Sequence, residues 1–163
     1  MKLYRYSSMT PNFKDFNRMT KELGDFLESY FSDEWPERLE EIQRFQTEDG
    51  GFAYVDDWSI DADARVEFCY KPTYLCTAIL MKAAVVHLLS EEGKECLKKG
   101  MLKSMGREFL GHGYEAEEGL EETMHIFFLG HADKFIEDFP DFCPEFNAMY
   151  EEAREYLYSK ESR

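Results

Sequence analysis

Apolar residues in the first part of the chain return every three or four positions. Phe13, Phe16, Leu23, Leu27 and Tyr30 share a stripe with Thr20, widened by Met19 and Phe26. That period predicts an amphipathic helix over about 11–31. Thr10 caps it, and Pro11 suits a first position whose N–H has no intrahelical partner. Pro36 opens a second helix with Leu39, Ile42 and Phe45 on one face, and the glycine pair of EDGG stops it. Over 51–70, GFAYVDDWSIDADARVEFCY, the period changes to two. Phe52 and Tyr54 alternate on one run, and Val66, Phe68 and Tyr70 on another. The expectation is a small β-hairpin at about 51–70, or two extended arms joined by DWSIDAD.

Pro72 then begins PTYLCTAILMKAAVVHLL, which is apolar nearly all round and is therefore expected at the centre of the core. Ser90 caps the next helix, with Glu91 and Glu92 in its first turn, where negative charge is favourable. Cys96, Leu97, Met101, Met105 and Phe109 form its inner side, and LGHGYE ends it. A further helix from about 115 carries Leu120, Met124, Phe127 and Phe128 inward and closes at Gly130. A short piece over 134–139 leads to Pro140, and a last helix from near 144 carries Phe146, Met149, Tyr150, Ala153 and Leu157. The predicted fold is mainly α: a compact bundle of packed helical hairpins, of α/α type, in a single domain over 1–163 with no low-complexity linker.

Two stretches share a grammar of helix, glycine turn and aromatic: LEEIQRFQTEDGGFAYV and MLKSMGREFLGHGYEAEEGL. A glycine in the left-handed conformation closes a helix end, and repetition of such closures suggests α/α packing. RFQTEDGGF resembles the repeat turn of terpenoid cyclases and protein prenyltransferase β-subunits. PTYLCTAILMKA resembles the inner helix that follows such a turn, so the likeness spans about 39–83 in a single copy. It implies helical-hairpin architecture, with Gln46 bonding helix-end backbone groups and Phe52 packed between neighbouring helices. IDADAR resembles the acidic motif of squalene-type cyclases through Asp61 and Asp63, but the third and fourth acids are missing. The 20 residues between the glycine turn and the Pro72 helix are longer than that repeat usually allows, and 163 residues cannot build a toroid of several repeats.

Composition changes this picture in two ways. There are 14 Phe, 10 Tyr and 2 Trp, a surplus that either supplies surface anchors or fills a core with satisfied Tyr tips. The net charge is −15, and residues 101–163 hold 15 acids against 6 bases, the most acidic part of the chain. Such a surface repels nucleic acid and anionic membranes and attracts basic proteins. The N-terminus has no apolar signal core, no run approaches 18 apolar residues, and Cys69, Cys76, Cys96 and Cys143 form no C-x-x-C pair. These features predict a cytoplasmic protein with reduced thiols and no membrane span.

Candidate chemistry is sparse. Asp56, Asp57, Asp61 and Asp63 surround Trp58, but calcium-loop spacing would put Trp58 and Ile60 at ligand positions, so the expectation is a solvated loop without metal. In GHGYE, His112 with Glu115 has the makings of an acid/base pair. Flanking glycines fit a helix cap followed by Tyr114 as an aromatic plug better. A charged His131 after a helix ending at Gly130 would suit the helix dipole. Glu115, Glu117, Glu118, Glu121 and Glu122 fall in the first turns of a helix and add to Asp133, Glu137, Asp138 and Asp141. No nucleophile elbow, P-loop or dinucleotide fingerprint occurs, and no cofactor is implied.

The function expected from the sequence is therefore non-enzymatic binding to a protein with a basic surface. Its sharper form is an inhibitor or immunity-type protein whose carboxylates mimic nucleic acid. Tyr54, Asp56, Asp57, Trp58, Asp61, Asp63, His112, Tyr114, Glu118 and Glu122 are the expected contact residues. The alternative is a small ligand-binding or enzymatic domain related to the cyclase-like repeats, with its pocket near the two glycine turns. A homo-oligomer that buries its aromatics between subunits is a third expectation.

Overall fold

The helix that is apolar on every side is enclosed on more than one. In a computed structural model, which describes residues 34–52, 70–105 and 128–161 together with Asp25, Ser29, Tyr30 and Ser32, the elements are all helical. A 3-10 helix spans Leu39–Phe45, α1 spans Lys71–Val85, α2 Glu91–Ser104, α3 Leu129–Asp138 and α4 Pro144–Glu161. The mainly α expectation holds, and the helices pack against each other. Helix α1 lies against both α2 and α3, while α2 also meets the 3-10 helix and α4. Burial follows: Thr73, Tyr74, Cys76, Thr77, Ala78, Ile79, Leu80, Met81, Ala83 and Ala84 are all buried.

The apolar run from Pro72 outlasts its helix. Helix α1 stops at Val85 because His87 takes the left-handed conformation, φ 61°. The Leu88 N–H then donates to Ala83 O at 2.8 Å and the His87 N–H to Ala84 O at 3.1 Å. This pair of bonds is the Schellman closure, built around histidine rather than glycine. It leaves Val86 and Leu88 as the exposed large hydrophobics among the described residues, Leu88 at 49%.

Ser90 caps α2 as expected, its Oγ accepting from the Gly93 N–H at 3.1 Å. Cys96, Leu97, Met101 and Met105 are buried. The second predicted helix is a 3-10 helix, yet Leu39, Ile42 and Phe45 all turn inward. Gly130 does not end a helix. It continues α3 with no positive φ, so the piece expected over 134–139 belongs to the same ten-residue helix, which Phe139 terminates before Pro140. Helix α4 begins at Pro144 and buries Phe146, Tyr150 and Ala153. Of the stretch 51–70, residues 53–69 lie outside the described residues. Phe52 makes its antiparallel bridge back to Gln46.

Aromatic rings fill the angle between α1, α3 and α4. Phe128 meets Tyr74 edge-on at 5.2 Å, and Phe146 stacks on Tyr150 at 5.3 Å with an interplanar angle of 14°. Phe135 stacks on Phe139 and receives Phe142 edge-on, each at 5.2 Å. No Phe, Tyr or Trp ring whose burial is described is exposed. Two of the buried Tyr tips have backbone acceptors: Tyr74 Oη donates to Ser104 O at 3.3 Å and Tyr150 Oη to Leu129 O at 3.2 Å. For these residues the aromatic surplus is core material.

Gly50 is the backbone position with least freedom. Its φ is +97°, and a Cβ there would stand 2.7 Å from Lys99 O on α2. Gly50→Ala is expected to cost about 1–3 kcal/mol through backbone strain and this clash. A lower denaturant midpoint with an unchanged m-value would report it.

Candidate functional site

The turn QTEDGGF is closed by a dense set of hydrogen bonds. The Thr47 N–H donates to Gly51 O at 2.7 Å and the Gly50 N–H to Thr47 O at 3.1 Å. The Asp49 carboxylate accepts the Thr47 hydroxyl, the Gly51 N–H at 3.1 Å and the Lys103 ammonium at 3.0 Å. Gln46 Nε2 donates to Gly50 O at 3.1 Å and to Cys96 O at 2.9 Å. Cys96 lies within α2, so this glutamine bonds a mid-helix carbonyl and its own turn rather than helix-end groups. Phe52 is fully buried, with its N–H on Thr73 Oγ1 of α1 at 2.9 Å and its ring near Gly100 of α2. The turn thus fastens α1 to α2.

Nucleophilic chemistry finds no support beside it. Burial pushes the Cys96 thiol up to about 12 and raises Cys76 well above the ordinary thiol range. Both stay protonated at neutral pH, and a thiol rather than a thiolate is a poor nucleophile. Among the described residues no group of three or more His, Cys, Asp or Glu is placed to hold a metal ion. His131 lies within α3 rather than after a helix end at Gly130. Its Nε2 is 2.7 Å from Tyr30 Oη.

Many of the acids are neutralised within the molecule. Asp133 accepts from Arg154 Nε at 2.9 Å and Tyr150 Oη at 2.8 Å; Asp138 holds Lys134 at 3.2 Å; Glu41 holds Arg38 at 2.8 Å. Charge without such a partner gathers elsewhere. A groove of about 540 Å3 runs between the 3-10 helix and the start of α2, lined by Glu40, Gln43, Arg44, Ser90, Glu91 and Glu92. Through Glu40, Gln43 and Ser90 it continues into a cleft of about 140 Å3 walled by Pro36, Leu39, Leu80, Leu88 and Leu89. Glu40 and Glu92 are exposed and have no ion-pair partner among the described residues. The combination is a carboxylate rim beside an apolar floor.

The ten contact residues expected from the sequence, Tyr54, Asp56, Asp57, Trp58, Asp61 and Asp63 with His112, Tyr114, Glu118 and Glu122, are not among the described residues. The groove itself escaped sequence reasoning because Glu91 and Glu92 read as ordinary first-turn acids, and Leu88 and Leu89 as the tail of α1. The usable signal was an apolar run ending directly before a serine cap, which forces leucines into a connection.

Asp49 supplies a pH test. Burial alone would raise its pKa, but Thr47, the Gly51 N–H and Lys103 outweigh burial and hold it below the usual carboxylate range. A depressed folded pKa adds stability that is complete above the unfolded value near 4 and disappears as pH falls through the folded one. The destabilisation by Asp49→Asn should therefore be larger at about pH 7 than at about pH 3 in parallel urea titrations. No protein-family model, no curated protein and no solved structure matches the chain, so its functional reading rests on this geometry.

Proposed function

We propose that the protein is a non-enzymatic binding module that captures a basic, amphipathic helical segment of a protein partner. The observation that carries this reading is the continuity of the acidic groove with the apolar cleft. Lys or Arg side chains of the segment meet Glu40, Glu91 and Glu92, and a branched aliphatic side chain enters between Leu39, Leu80, Leu88 and Leu89. Such a pairing uses charge for steering and register and the apolar anchor for affinity. Glu91 is 90% exposed and its contact with Lys94 is a surface ion pair, which a competing cation can replace at little cost.

Concavity favours a basic segment inserted into this protein. Mimicry of nucleic acid toward a basic groove, as an inhibitor or immunity-type protein would use, draws instead on the loop acids and rings around Trp58 and Tyr114. The enzymatic alternative draws on His112, Asp61 and Asp63, which lie outside the described residues.

A synthetic Leu/Lys amphipathic peptide, titrated by calorimetry, tests the reading. Saturable binding is expected to weaken at least tenfold between about 50 and 500 mM salt. It is expected to fall with Glu40→Lys plus Glu92→Lys, and with Leu88→Asp, but not with Glu151→Lys plus Glu152→Lys on α4. Salt-insensitive binding, or equal losses from both charge reversals, would reject the groove as the docking site.

A further inference from the structure

A different face of α1 carries the opposite chemistry. A cavity of about 290 Å3 opens where α1 packs on α3, lined by Lys82, Val85, Gly130, His131 and Lys134. Lys82 and Val85 are three residues apart and Gly130 and Lys134 four, so each pair shares one face of its helix. Among the described residues the lining holds two ammonium groups and an imidazole and no carboxylate, in a chain of net charge −15. Lys82 has no ion-pair partner among the described residues. Lys134 touches Asp138 at 3.2 Å and Glu137 at 4.0 Å with its own side chain 56% exposed, contacts that solvent and ions can exchange. Tyr30 Oη fixes the His131 ring at one wall.

Gly130 is the second observation. It lies in ordinary helical backbone, so no left-handed φ requires glycine there. Among the described residues nothing lies within 4 Å of the point where its Cβ would stand, so no close packing from them requires it either. Glycine inside a helix is less stable than alanine, and at this position the fold offers no compensation. Its bare backbone does give the cavity a wall that a bound group can approach closely.

We propose that this cavity binds a small organic anion. Lys82 and Lys134 hold its oxyanion head, and its body lies along Val85 and the uncovered backbone at Gly130. The volume is at the lower end for small-molecule sites. The ligand is therefore a single carboxylate or phosphate group on one small ring or short chain. Ammonium groups act as point charges and accept either head, so the probes must separate the two.

Thermal unfolding and calorimetry of the full chain with phenyl phosphate, benzoate and inorganic phosphate make the test. Saturable stabilisation is expected from phenyl phosphate or benzoate, whichever carries the preferred head, and weaker stabilisation from inorganic phosphate. Lys82→Gln and Lys134→Gln are each expected to weaken binding at least tenfold, whereas Lys98→Gln on the exposed side of α2 leaves it unchanged. Gly130→Ala should raise the ligand-free Tm by roughly 2–4 °C and still weaken binding at least tenfold. The gain in Tm shows that this variant is folded, so its binding loss is readable. No saturable effect with any probe, binding that survives both lysine changes, or equal loss with Lys98→Gln overturns the proposal. So does a Gly130→Ala protein that binds as the wild type does.

Discussion

The arrangement of α1 and α2 depends on a single reversal of the chain. Gly50 adopts φ +97° against Lys99 O, and this places Gln46 where it can donate to Cys96 O and Phe52 where it can enter between the two helices. Three glycines make the approach close enough. Gly50 and Gly51 bring the turn onto α2, and Gly100 gives α2 a surface on which Thr77 and the Phe52 ring can rest. Side chains in those places would separate the helices and leave the glutamine amide and the Thr73 hydroxyl without the bonds that fix the turn. Because buried polar groups must be satisfied, the turn acts as a lock between helices.

Around that lock the core is assembled from rings and small residues in different places. The α1–α2 contact is made near Thr77 and Gly100, where the helices come close. The α1–α3–α4 angle is filled by Tyr74, Phe128, Phe135, Phe146 and Tyr150, whose edge-on and stacked pairs suit the aromatic quadrupole. Tyr150 then connects packing to electrostatics: its hydroxyl reaches Asp133, which Arg154 also holds. Acids that looked like surplus charge along the chain are in part structural partners. The surface that remains is differentiated, with carboxylates beside leucines at one end of α1 and lysines around a small cavity on its α3 side.

These features place the two proposed binding regions on opposite electrostatic terms without a conflict in the fold. The groove near Ser90 exists because the Schellman closure at His87 expels Leu88 and Leu89 from the helix while the α2 cap holds Glu91 and Glu92 beside them. The cavity near Gly130 exists because α3 runs through that glycine without a side chain. Both arise at helix ends or gaps, where backbone geometry exposes what helical burial would otherwise cover.

Much of the helical framework was legible in the chain itself. The all-round apolarity of 72–85 identified the central helix, Ser90 identified the start of α2, and Leu39, Ile42 and Phe45 identified an inward face even though the helix is 3-10. Such features are local: periodicity and capping act within a turn or two. Helix ends were less legible, since His87 rather than a glycine terminates α1 while Gly130, a residue that usually breaks helices, continues α3. The groove and the cavity could not be read from one dimension. Each brings together residues some 50 positions apart, as Glu40 with Glu92 or Lys82 with Lys134, and only the packing of α1 against its neighbours decides that such side chains meet.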